Sequence, residues 1–170
     1  MQQWWKPNRA DLDNPVPWLC AEAIAYLESL LSPIMTVLEH GSGGSTLWFA
    51  QRVKRVLAVE NDPDWVAALA PRLPKNAKVI SDVGLTKIER NWDLVLIDGE
   101  PVGDRCYWMR EAPRFVKSGG YIVLDNANRN ELAADRAWLM ENATLLTSID
   151  AGISQMTYAV TDFYQEGRPT

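Results

Sequence analysis

The stretch Glu39-His40-Gly41-Ser42-Gly43-Gly44-Ser45-Thr46 is the part of the chain best equipped to hold a ligand. Gly41 and Gly43 let a backbone turn tightly and approach a bound group with no Cβ in the way. A helix predicted over Ser45 to Val53 opens with free N–H groups, which favour a polar or anionic ligand such as one reaching Ser42. A glycine-rich turn alone serves geometry as readily as binding. Here it is followed by Glu60, 21 residues beyond Glu39 at the end of the next apolar run, near the roughly 20-residue spacing of a ribose-binding acid. A carboxylate there can accept from both ribose hydroxyls, although a solvent-facing strand end is its plainer use.

Three more oxygen-bearing residues fall at the ends of later apolar runs: Asp98 after one, and Asp125-Asn126 after the next. Hard oxygen donors at one edge suit magnesium or a similar cation. The metal-free alternative has Asp98 touching substrate or cofactor while Asp125-Asn126 shape a turn. His40, the single histidine, stands in the glycine loop, where a base of pKa near 6.5 would be useful. Packing at the core edge is its commoner fate. Asp104-Arg105 opens a predicted helix and can reach the same region, with Asp104 suited to capping. Tyr107 and Trp108 are the aromatic candidates for a pocket wall, whereas Arg110, Arg114 and Lys117 form a stripe of the kind usually solvated.

These residues need a frame that delivers strand ends to one edge, and the hydropathy pattern supplies it. Residues 1–16, with Trp4 and Trp5 and no period, read as an extended arm. A leading helix is expected over Pro17 to Leu31, with Pro17 in its first turn. Strands then alternate with helices over residues 34–165: strand 34–38, helix 45–53, strand 56–59, helix 63–73, strand 77–81, strand 93–97, helix 104–116, strand 121–124 and helix 131–142. Pro113 threatens the last turn of the helix over 104–116. The link between the third and fourth strands is too short for a full crossover helix, so one turn is expected around Leu85 to Ile88. Strands over 145–149 and 156–164 form an antiparallel pair. This alternation predicts one domain, a doubly wound, mostly parallel seven-stranded Rossmann-like α/β sheet with an antiparallel edge strand. In such a sheet the ligand sits beyond the carboxyl ends of the strands, where strand order reverses.

Composition narrows the function further. Lys plus Arg total 17 against 22 acids in 170 residues, for a net charge of −5 and a pI near 4.9. That balance lacks the basic excess that phosphate backbones demand, so nucleic acid is not an expected partner. No apolar run reaches the length of a membrane span, and the opening residues carry no secretory pattern. Cys20 and Cys106, far apart and in no metal spacing, read as reduced packing thiols of a cytoplasmic protein.

The segment Val37 to Thr46, with Val59-Glu60 after it, resembles the class I S-adenosylmethionine-dependent methyltransferases. Glu39, Gly41 and Gly43 match the family's first motif, while Ser45 replaces its usual third glycine. The order of elements, the run Trp92 to Gly99 and the Lys117-Ser118-Gly119-Gly120 turn extend the likeness over roughly residues 37–165. The resemblance implies an enzyme that binds S-adenosylmethionine, with Glu39, Gly41, Ser42 and Gly43 around its amino acid part, Glu60 on ribose, Asp82 or Val83 against adenine and Asp98 at the reacting end. Asp98, Asp125 and Asn126 resemble the metal trio of the catechol and caffeoyl-CoA O-methyltransferases, which implies transfer to oxygen assisted by Mg2+. Pro101 stands where that family's catalytic lysine would be. Little chain remains to roof the pocket, which leaves a large acceptor, or a second subunit of a homodimer, to cover it. A cofactor-binding module without transfer activity, and a nicotinamide-dependent oxidoreductase sharing the turn and the ribose acid, are the alternatives. The latter prefers Gly or Ala where Thr46 stands and has no use for Glu39.

Overall fold

The computed structural model describes residues 12–81, 87–150 and 160–167. Five helices and seven strands are named in chain order: α1 (Ala21–Leu30), β1 (Thr36–His40), α2 (Gly44–Ala50), β2 (Arg55–Val59), α3 (Pro63–Leu69), β3 (Ala77–Ile80), β4 (Trp92–Ile97), α4 (Val102–Phe115), β5 (Val116–Leu124), α5 (Ala133–Asn142), β6 (Ala143–Asp150) and β7 (Val160–Glu166). The strands form one sheet in the order β3-β2-β1-β4-β5-β7-β6. The first five are mutually parallel, while β7 runs antiparallel to both β5 and β6. Strand order reverses between β1 and β4, so their carboxyl ends flank the crevice where this architecture binds ligands.

Alternate residues of each central strand feed opposite faces. Leu38, Val95, Ile97, Ile122 and Leu124 pack under α4 and α5 with Trp108, Met109 and Leu139. Val37, Leu94, Leu96 and Val123 face the other way, against Ala23 and Leu27 of α1 and Phe49 of α2. With both faces covered, β1 and β4 become the continuous apolar runs that the sequence displays. A smaller cluster joins Leu12 to Leu47, Trp65 and Leu69. The arm expected over residues 1–16 is described only from Leu12 onward.

Several boundaries depart from expectation for local reasons. The leading helix starts at Ala21, after Pro17, because extended Cys20 serves as its N-cap and its Sγ accepts from the Ala23 N–H at 3.4 Å. Pro113 leaves α4 unbroken, since the helix ends at Phe115 and a single backbone bond near that end is forfeited. The expected Lys117–Gly120 turn belongs to β5, as a register shift opposite β4 with Gly119 at φ +74°. The turn expected around Leu85 lies outside the described residues in part, as do residues 156–159 of the last expected strand. Among the described residues no helix is long and apolar enough to cross a membrane.

Candidate active site at the carboxyl edge

The glycine loop leaves β1 and immediately meets the end of β4. Gly41 has φ +99°, and a Cβ on it would approach the Gly99 Cα and N to 3.0 Å. A Cβ on Gly99 would in turn lie 2.8 Å from the His40 ring and 2.9 Å from the Gly41 N. Two glycines are required because two backbones touch here, which leaves main chain in place of side chains on the floor of the crevice. The Gly41 N–H donates to the Val59 carbonyl and the Asp98 N–H to the His40 carbonyl, tying the loop to β2 and β4.

Glu39 braces this loop from beneath. It is 1% exposed and accepts from the Ser45 hydroxyl and, at 2.6 Å, from the Thr46 hydroxyl. The Thr46 oxygen also accepts from the Gly43 N–H at 3.1 Å, so one carboxyl fixes both ends of the turn. Burial pushes the Glu39 pKa up to about 7 against the pull of those two hydroxyls. Both its oxygens are committed inside the protein, which makes it a strut for the loop. Ser45, the departure from a third glycine, thus has a use of its own.

Glu60 turns toward the loop. Its Oε2 accepts from the Ser42 hydroxyl at 2.9 Å and its Oε1 from the Asp62 N–H at 2.8 Å. A carboxylate has about four lone-pair sites, so these two contacts orient it while leaving acceptor capacity for a diol. Burial raises its pKa, opposed chiefly by the Asp62 N–H and the Ser42 hydroxyl. Asn61 beside it donates to Asp104 at 2.7 Å, joining the β2 end to α4. Asp104 is therefore a first-turn acid accepting from another loop, and Pro101 takes the N-cap position.

His40 and Trp108 belong to the core. The imidazole is 2% exposed and stacks on Trp108 at 5.0 Å and 23°. Burial, with Arg105 nearby, drives its pKa down to about 3. Its Nδ1 is the one buried side-chain N or O atom with no hydrogen-bond partner among the described residues. The catalytic role expected of His40 would need this ring at the crevice, whereas the structure packs it between Trp108 and Gly99. Trp108 is 4% exposed beneath it, and Tyr107 points to solvent, so neither walls the pocket.

Arg105 unites the remaining residues. Its guanidinium, 1% exposed, donates from Nη2 to the Asp98 carbonyl at 2.7 Å and from Nη1 to the Asp125 carbonyl at 2.7 Å. Its Nε donates to the Gly99 carbonyl at 3.1 Å. Longer contacts reach Asp98 Oδ1 at 3.3 Å and Asn126 Oδ1 at 3.4 Å. Asp98 keeps 24% of its side chain exposed. Burial raises its pKa well above the usual carboxylate range, with Asp125 and Glu39 adding to the rise and Arg105 opposing it. Asp125, 3% exposed, accepts from the Thr161 hydroxyl of β7 at 2.9 Å, and burial raises its pKa.

The trio expected to hold Mg2+ does converge, but on a guanidinium. Asn126 Oδ1 also accepts from Arg129 Nη2 at 2.7 Å, so its oxygen is turned to two cationic side chains. Among the described residues no group of three or more His, Cys, Asp or Glu is placed to hold a metal. The donor set does not fit a divalent ion. Asp82 and Val83, expected against adenine, lie outside the described residues.

Sequence reasoning reached Arg105 only as a residue able to approach the pocket, and it missed Thr161. The available signal was an arginine in the first turn of a helix, where the macrodipole disfavours positive charge.

No family profile and no curated protein matches the chain. Solved structures do. The S-adenosyl-L-homocysteine complex of the N-methyltransferase NodS from Bradyrhizobium japonicum WM9 superposes with a TM-score of 0.65 at 17% identity, over 93% of this chain and 95% of that one. An rRNA methylase from Streptococcus thermophilus gives 0.67 at 13% identity, over 84% and 92%. Precorrin 8w decarboxylase from Methanobacterium thermoautotrophicum gives 0.64 at 19%, over 95% and 96%. The chain has the Rossmann-like fold shared by class I S-adenosylmethionine-dependent methyltransferases.

Proposed function

We propose that the protein is an S-adenosylmethionine-dependent methyltransferase acting on a nucleophile at the Asp98 end of the crevice. The observation that carries this reading is the convergence of Glu60 and Ser42, the bare Gly41 to Gly99 contact and Asp98 on one edge, at the reversal of strand order. The crevice suits the cofactor on its own chemistry: an oriented carboxylate for a diol, main chain without Cβ atoms for close approach, and acidic surroundings for a cation. An S-adenosyl-L-homocysteine complex of a protein with this fold supports the same choice.

When bound, the cofactor supplies a methyl group on a positively charged sulfur. Glu60 accepts from the ribose hydroxyls, with Ser42 holding it in place. Gly41 and Gly43 let the amino acid part pass close to main chain, and Glu39 keeps that turn rigid from below. By analogy with the family, Asp82 or Val83 would be the residue beside adenine. Asp98 would orient the acceptor, which we take to be a hydroxyl oxygen, and would hold the proton that this hydroxyl gives up on taking the methyl group the cofactor would supply. Magnesium has no part in this scheme. The nicotinamide alternative loses support because a dehydrogenase sheet continues in the order 3-2-1-4-5-6, whereas here antiparallel β7 separates β5 from β6.

Isothermal titration with S-adenosylhomocysteine tests the reading. Micromolar binding is expected; a folded sample giving no heat at hundreds of micromolar ligand ends it. Binding without turnover across hydroxyl, amine and carbon acceptors would instead favour a cofactor-binding module.

A further inference from the structure

The ends of β4 and β5 present an unusual concentration of oxygen. The carbonyls of Asp98, Gly99 and Asp125, the carboxyl of Asp98 and the amide oxygen of Asn126 all face one place, and Arg105 fills it. Glu100 adds a sixth contact at 3.5 Å. A guanidinium has five N–H donors in a fixed planar fork, and here each of its three nitrogens finds a strand-end carbonyl. Removing so buried a charge from water is costly unless its donors are matched, and they are matched almost completely.

We propose that the Arg105 guanidinium is the resident cation of this oxygen cluster, standing where a divalent ion would otherwise bind and acting as the residue that positions Asp98. Three observations converge on this. The guanidinium meets the side-chain oxygens of Asp98 and Asn126 and the main-chain carbonyl of Asp125, the three residues expected to hold a hard cation. A divalent ion demands oxygens near 2.0 to 2.6 Å with open lone pairs, and Asn126 Oδ1 has already turned to Arg129 as well as Arg105. Finally, a dipositive ion at the Asp98 and Asp125 carboxyls would face a positive charge that is 1% exposed and bonded through all three of its nitrogens to main-chain carbonyls, which it would have to break to move aside.

The consequence for Asp98 is directional. The Nη2 nitrogen holds the Asp98 carbonyl and approaches its Oδ1, which restrains the carboxyl against its own main chain. The positioning part of the inference rests on the function proposed above; the claim about cation occupancy does not.

The test uses the full chain, Mn2+ as probe and the electron paramagnetic resonance of free Mn2+ as readout. Wild type is expected to leave millimolar Mn2+ unbound at this site. Arg105→Ala is expected to bind Mn2+ at least tenfold more tightly than wild type, and the added change Asp125→Asn to abolish that gain. Where Arg105→Ala does not fold, Arg105→Gln drops the charge while keeping donors for the carbonyls, and Arg105→Lys keeps the charge. Gain of Mn2+ with Gln and none with Lys supports the proposal, since lost packing alone would not distinguish them. Mn2+ binding by wild type that Asp98→Asn removes overturns it, as does a folded Arg105→Ala or Arg105→Gln with no gain. S-adenosylhomocysteine titrated into wild type separates the two ideas: absent heat with Mn2+ refused by wild type sinks the methyltransferase reading alone, whereas Mn2+ taken up by wild type beside intact ligand binding sinks the guanidinium alone.

Discussion

Gly41 and Gly99 lie back to back, the loop after β1 pressed on the end of β4 so that a Cβ on either would strike the other's backbone at 3.0 Å or less. This contact brings the proposed ribose acid, on the β2 side, and the proposed acceptor base, on the β4 side, onto one continuous floor.

Gly99→Ala is therefore expected to cost about 1–3 kcal/mol through overpacking against the His40 ring, a fall in Tm of roughly 3–10 °C for a chain of this size. Gly103→Ala is the control, because a Cβ there meets nothing within 4 Å. Differential scanning calorimetry of the two variants checks the pair, and equal melting points would contradict the geometry.

Glu60→Gln removes the charge that would receive the ribose hydroxyls while preserving shape. Hydrogen bonds to a charged group contribute about 1.5–3 kcal/mol, so S-adenosylhomocysteine affinity is expected to fall roughly 10–100-fold. Calorimetric titration measures it, and unchanged affinity would place the ribose elsewhere.

Asp98→Asn should separate binding from transfer. General base assistance contributes about 10²–10⁴ in rate, so turnover with any acceptor that wild type accepts is expected to drop by that order. The dissociation constant for S-adenosylhomocysteine is expected to stay within a few-fold. Loss of both together would make Asp98 a cofactor ligand alone.

The two adjacent residues at the end of β1 should tilt acid stability in opposite directions. His40 has a pKa of about 3 in the fold against 6.5 when free, so between those values the unfolded chain takes a proton that the native chain refuses, and stability drops as pH falls. Glu39, at about 7 against 4.5, holds a proton that the unfolded chain has released, and its contribution drops as pH rises through that window. The slopes oppose each other between about 4.5 and 6.5. Urea denaturation across that range is expected to show His40→Asn gaining stability relative to wild type on acidification and Glu39→Gln losing it, each by about 1.4 kcal/mol per pH unit. Parallel curves for all three proteins would refute the assigned protonation states.

The parts of the site that were legible in the sequence are those whose chemistry is local. Gly41, Gly43 and Glu60 follow apolar runs that only a buried parallel strand produces, so type and position could be read together. Glu39 is expected beside the ligand and instead braces the loop: nothing in its spacing says that Ser45 and Thr46, six and seven residues on, claim both its oxygens. His40 looked like a base because its neighbours in sequence face a ligand, whereas its ring enters the core against Trp108, 68 positions away. Arg105, Thr161 and the closure of the oxygen cluster depend on which strands become neighbours, and β7 joining β5 from 36 residues beyond Asp125 is a long-range outcome.

The insertion of β7 between β5 and β6 also sets the order in which the chain can mature during synthesis. Until residues 160–166 have left the ribosome, β5 exposes an unpaired edge and Asp125 lacks the hydroxyl of Thr161. The nascent polypeptide thus carries its glycine loop and its acid after β2 before the strand that pairs with β5 and brings Thr161 to Asp125 has emerged.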